Sequence, residues 1–251
     1  MGKLSFLRKA DANNAPSGGT GELTLGNLAV GTTINLMVDG TETPFIIINQ
    51  GIPSNSSQYD SSCDGTWLLA KEYFTTSEWS DGTEYSSYER SVARTVLNST
   101  FVNLLGTAEQ AAVKEVIIPY VYTNSGGRTM STKTGANGTT AKAFLLSLPE
   151  LGLTSVGTTD GAETEYFKDC ADNTSNADDS LRIATYGSNV YEWATRTIRN
   201  TGGSSEYMYY IDSTGDYNWS SPAYEVCLRP AMVFDSNTKI DDATMKLKGV
   251  T

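Results

Sequence analysis

The chain contains no histidine. That removes every Ser-His-Asp or Cys-His nucleophile, every imidazole metal ligand and the usual general base near neutral pH. Cysteine is scarce: Cys63, Cys170 and Cys227 are odd in number and far apart. They form no disulfide framework and no Cys-x-x-Cys metal or redox site, and read, one chance pair aside, as reduced thiols in or near a core. Basic residues are outnumbered, with 18 Lys and Arg against 29 Asp and Glu and a net charge of −11. Such a balance repels phosphate backbones and anionic membranes, which argues against a nucleic-acid partner. The acidic residues are dispersed among Ser, Thr, Asn and Gly, as on a solvated surface. Long apolar runs are missing too. The stretch Leu4–Leu7, interrupted by Ser5, is too short for the apolar region of a signal peptide, and no segment approaches a membrane span. The expectation is a protein made in the cytosol, not inserted in a membrane, that reaches the outside only by lysis or on a larger particle.

What is present suffices for a sizeable core, because 251 residues can bury one without covalent staples. Residues 10–22 are small, polar and turn-forming, so residues 1–22 read as an arm or linker and 23–251 as the folded domain. Two strand-like runs flank Asp39-Gly40, a dipeptide that accepts the positive φ angles of a tight hairpin. A strand follows at Trp67, Leu68 and Leu69. Ser86 and Glu89 then fit a capping box, and Val92, Ala93, Val96, Leu97, Phe101 and Leu104 recur at helical spacing. Thr107 with Gln110 predicts a second, shorter helix before the strand-like "VIIPYVYT", and Ser147 with Pro149 and Glu150 a third helix start. Residues 154–188 are polar and weakly periodic, and read as long loops around a short element near Tyr166. Strand-like runs "YEWATRT", "EYMYYID" and "YEVCLRPAMVF" complete the chain. This order predicts an α+β domain with substantial irregular loops.

Arg196 and Arg229 each lie within one of these apolar runs. A buried guanidinium needs a carboxylate or several carbonyls, so both are expected to be structural, with Trp193 beside the first and Pro230 beside the second. Pro230 has no N–H and should fall at a strand edge or bulge. Between Ile198 and Tyr224 the chain crowds aromatic residues among Ser, Asn and Gly, a mixture that combines rigid contact area with adaptable hydrogen bonding. Arg199, Asn200, Thr201, Tyr207, Tyr209, Tyr217, Asn218, Trp219 and Tyr224 are the candidate ligand-binding residues.

"YEWATRT", Gly202-Gly203, "YYIDSTGD" and "LRPAMVF" resemble the ending of bacterial and phage domains with a C-type lectin fold, although Ala194 and Thr195 stand where those domains carry Trp-Leu. The likeness extends from about Leu25 to Phe234. Such domains occur in gut phage proteins, in variable proteins of diversity-generating retroelements and, more distantly, in formylglycine-generating enzymes. The resemblance implies a C-type lectin-like fold with an N-terminal hairpin, two main helices and a C-terminal irregular antiparallel sheet, its ligand surface displayed by loops. An enzyme of the formylglycine-generating type would need a reactive cysteine arrangement. Only Cys227 lies near this region, inside an apolar run, so no catalytic role is expected. Asp169, Asp172, Asn173, Asn176, Asp178 and Asp179 offer oxygens for calcium, but without EF-hand spacing and without the lectin Glu-Pro-Asn or Gln-Pro-Asp motif. They read as a polar loop, and neither a metal nor a cofactor is assigned. The functional expectation is a non-enzymatic binding module on a phage virion. It would attach to other virion proteins through the arm and recognise a bacterial surface protein or glycan. The alternative is a structural virion protein, a head decoration or tail-fibre component. Self-association into a homo-oligomer stays open.

Overall fold

The computed structural model describes residues 22–81, 87–123, 129–170, 180–200 and 206–248. Nearly all of the expected arm therefore lies outside the described residues, as do Thr201 and the side chain of Asn200.

A seven-stranded sheet is built from β1 (Thr33–Val38), β2 (Thr41–Gln50), β3 (Thr66–Ala70), β9 (Ala143–Phe144), β16 (Ala231–Phe234), β17 (Ile240–Asp241) and β18 (Lys246–Leu247), in the order β17-β18-β1-β2-β3-β16-β9. A five-stranded sheet contains β4 (Thr75–Glu78), β12 (Trp193–Asn200), β13 (Glu206–Ile211), β14 (Tyr217–Ser220) and β15 (Glu225–Leu228), in the order β14-β13-β12-β15-β4. Three two-stranded sheets pair β5 (Val116–Ile118) with β8 (Thr139–Ala141), β6 (Tyr120–Thr123) with β7 (Met130–Lys133), and β10 (Ala184–Tyr186) with β11 (Asn189–Tyr191).

Burial follows position in the sheet. Strand β1 has Ile34, Leu36 and Val38 inward at alternate positions, whereas β3, flanked on both sides, is buried at every residue. Asp39 and Gly40 turn the first hairpin at φ angles of 50° and 71°, as their sequence predicts. Three buried tryptophans each donate the indole N–H to a backbone carbonyl: Trp67 to Cys63, Trp79 to Thr195 and Trp193 to Arg182. Each thus buries its large apolar area without stranding a polar atom.

Helix is a minor component. One helix starts at Val92–Thr95 (α1), widens to a π-helical segment at Val96–Phe101 and ends with Val102–Leu104 (α2). Its cap is Ser91, whose hydroxyl accepts from the Arg94 N–H at 3.0 Å, while the expected cap Ser86 lies outside the described residues. Asn98, in the widened turn, donates to the Ala143 carbonyl at 2.8 Å and accepts from the Lys142 N–H at 2.8 Å, which ties the helix to edge strand β9. Thr107–Ala112 (α3) is not capped by Thr107: its N-cap is Gly106, and Gln110 instead donates to the Leu105 carbonyl at 2.7 Å.

The α+β, C-type lectin-like expectation is therefore corrected. Among the described residues strand makes up 40% and helix 18%, with one helix of 13 residues, and the fold is β-rich and multi-sheeted with two helices longer than a single 3₁₀ turn. The helical periodicity around Val92 is real, but it accounts for a single element. The third start signal opens only the single 3₁₀ turn Pro149–Leu151.

Candidate functional site

The two arginine-bearing segments have different roles in joining the sheets. In β12 the pairing with β13 shifts register between Ala194 and Ile198. The Arg196 N–H is thereby free to bond the Leu146 carbonyl at 2.9 Å, which docks residues 145–148 on the strand. Its guanidinium is 0% exposed and forms a bidentate pair with Glu150 at 2.5 and 2.6 Å. It also donates to the carbonyls of Pro119, Leu145 and Asp160 at 2.7–2.9 Å. The Glu150 carboxylate further accepts from Tyr59 Oη at 2.8 Å and from the Ser147 N–H at 2.9 Å. The charge is thus matched and its donors are used, as burial demands. Beside it Asp160 accepts from Thr197 at 2.8 Å, while its other oxygen is buried with no partner among the described residues. Burial holds the Asp160 carboxyl above the usual carboxylate range, against the pull of Arg196.

Arg229 occupies a corner. "YEVCLRPAMVF" is not one strand: β15 belongs to the five-stranded sheet and β16 to the seven-stranded sheet. β4 and β3 make the same crossing in the opposite direction, pairing with β15 and β16 respectively. Two antiparallel segments thus bend together from one sheet into the other, and Arg229-Pro230 lies at the bend. Pro230 needs no ladder donor there, and its carbonyl accepts from the Ala70 N–H at 2.9 Å. Arg229 Nε donates back to the Ala70 carbonyl at 2.7 Å and Nη1 to that of Arg182 at 3.2 Å, with the guanidinium 4.9 Å from the Trp193 ring centroid. Among the described residues it has no carboxylate partner.

The aromatic segment is mostly strand rather than loop. Registers Arg199↔Tyr207 and Tyr209↔Trp219 place these four residues on one face, with Tyr217 two positions before Trp219 on β14. Arg199 stacks over the Trp219 ring at 4.3 Å, Tyr207 meets that ring edge-on at 4.7 Å, and Tyr209 packs on Tyr217 at 5.7 Å. Trp219 is 41% exposed on an edge strand, whereas Tyr209 is buried beneath the group. Asn218 is exposed, and its side-chain oxygen accepts from the Trp219 N–H. Tyr224 does not join them. It leans on Tyr210, on the opposite face of β13, and is 47% exposed. The predicted set therefore splits, Arg199, Tyr207 and Trp219 forming one outward platform.

A family profile described as a domain of unknown function (DUF6273) matches residues 64–236. The chain belongs to the DUF6273 family. No curated protein and no solved structure matches it. The DUF6273 span takes in Glu150, Arg196, Arg229 and the aromatic platform, and leaves out the β1–β2 hairpin.

Within that span lies a surface that sequence reasoning missed. The β10–β11 hairpin rises from a stretch read as loop, turning at Gly187 with a φ of 62°. Tyr186 and Tyr191 pack against Tyr73 at 5.3 and 4.8 Å. Tyr186, Val190 and, just before the hairpin, Leu181 are exposed. Concavities of about 370, 370 and 240 Å³ border the hairpin at Thr185, Tyr186 and Val190. The available signal was Tyr186-Gly187-Ser188-Asn189, a two-residue Gly-Ser turn between alternating residues.

The three cysteines are buried and reduced. Burial pushes the Cys63 thiol up to about 12 and Cys227 up to about 11, opposite to the shift a nucleophilic thiol requires. Among the described residues no group of His, Cys, Asp and Glu is arranged to hold a metal, and no helix is long and apolar enough to cross a membrane.

Proposed function

We propose that this domain is a non-enzymatic binding module that recognises a bacterial surface protein or glycan through the Arg199, Tyr207 and Trp219 platform. The observation that carries this reading is the pre-positioned ring of Trp219, exposed yet held by the stacked Arg199 and the edge of Tyr207. A ring already held in place loses little rotamer freedom on contact, so its buried area converts efficiently into affinity. The Arg199 guanidinium and Tyr207 phenol beside it supply hydrogen bonds that select the partner. Two raised thiol pKa values and the lack of histidine support a non-catalytic role. The likeness of the arginine-bearing strands to domains of gut phage proteins supports a place on a virion, joined to other virion proteins through residues 1–22.

The test is binding of the purified domain to whole bacteria and to immobilised glycans, with Tyr207→Ala/Trp219→Ala alongside the parent. The double variant should fold normally and bind at least tenfold more weakly. Unchanged binding would refute the platform. Particles that adsorb normally but assemble poorly with this variant would favour the structural virion role instead.

A further inference from the structure

We propose that the cavity beneath the β10–β11 hairpin, floored by Arg229, is a binding site for a single carboxylate group carried on a small, partly apolar ligand. Arg229 is 4% exposed, lines a concavity of about 370 Å³ and, among the described residues, spends only Nε and Nη1 on protein carbonyls. A guanidinium has five N–H donors, so Nη2 and the second Nη1 proton are left for a ligand. No carboxylate among the described residues bonds to Arg229, in contrast to Arg196. A cation nine-tenths buried without a counter-charge is costly, and a carboxylate arriving from outside would remove that cost. Burial lowers the Arg229 pKa to about 10, the direction expected of an uncompensated buried cation.

The rest of the cavity specifies the ligand. Lys71 adds a second positive charge at the rim and Glu72 a negative one, so with Arg229 the lining is net positive by one among the described residues and matches a monoanion. A phosphate dianion would meet Glu72 with charge to spare. Pro44, Ile46 and Ile183 supply apolar wall for a carbon skeleton, and the volume is at the small end of ligand pockets, about 300–1,000 Å³. An acidic sugar and an acidic peptide side chain both present this chemistry. The site is separate from the aromatic platform, and its test is independent of adsorption.

The experiment is calorimetric titration of the whole chain at low salt with two probes, sodium glucuronate and a blocked aspartyl peptide. Glucose and the corresponding asparaginyl peptide serve as uncharged controls. Saturable one-to-one binding of at least one carboxylate probe is expected, and which probe binds identifies the source. Thr185→Trp fills the mouth of the cavity from an exposed strand position without touching Arg229, and should abolish the signal. Lys71→Glu should weaken it at least tenfold. Absence of binding by both carboxylates, equal binding of the uncharged controls, or full binding by Thr185→Trp would each overturn the proposal.

Discussion

Arg196 and Arg229 lie in strands β12 and the β15–β16 bend of the same domain, both almost wholly buried, yet their surroundings differ in kind. Arg196 is closed in by a bidentate carboxylate and three carbonyls. Arg229 has two carbonyls and an indole face, and opens onto a cavity. A guanidinium neutralised in place fastens neighbouring segments, whereas one left without a counter-ion keeps an unspent capacity to bind. Burial alone does not tell the two arginines apart; the account of donors and charges does.

Several substitutions sharpen this contrast. Glu150→Ala should be the most damaging, lowering unfolding free energy by about 3–5 kcal/mol in urea titration, because it leaves Arg196 buried and unpaired. Glu150→Leu/Arg196→Met should recover part of that loss. Arg229→Met takes a donor from the Ala70 carbonyl and one of two from the Arg182 carbonyl, which keeps the Trp193 indole N–H, and leaves no opposite charge unpaired, so about 1–3 kcal/mol is expected. Equal losses for Glu150→Ala and Arg229→Met would erase the distinction.

Asp160 gives a pH signature of the closed region. Its carboxyl is raised in the fold from 3.8, so the folded state binds the proton more tightly than the unfolded chain. Stability from this group is complete below the unfolded pKa and falls as pH rises through the folded one. Asp160→Asn should flatten that fall in a series of melts above pH 4, and an unchanged profile would rule the assignment out. The smallest effect on stability should come from Trp219→Ala, at most about 1 kcal/mol for an exposed site, alongside its large effect on binding.

Local chemistry was legible where neighbours in sequence are neighbours in space. Asp39-Gly40 specified its turn, and the Ser147-Glu150 reciprocal bonds exist at 2.9 and 3.4 Å. The helix inferred from those bonds does not follow, because Glu150 faces Arg196, 46 positions away, and sequence carries no trace of that pairing. "LRPA" read as one strand because alternation cannot reveal that the chain changes sheets at Arg229-Pro230. Tyr224 was grouped with Trp219 by proximity along the chain, whereas the pleat sends its partner Tyr210 to the other face. The β10–β11 hairpin was readable from Gly187-Ser188 but was obscured by the polar stretch before it.

The contrast between the two arginines can be measured directly by hydrogen exchange of arginine side-chain protons in an ¹⁵N-labelled sample. Protons on Arg196 should exchange only as fast as the whole domain unfolds, and those on Arg229 Nη2 should exchange orders of magnitude faster, slowing when a carboxylate is added. Matching rates at the two side chains, fast or slow, would contradict the account.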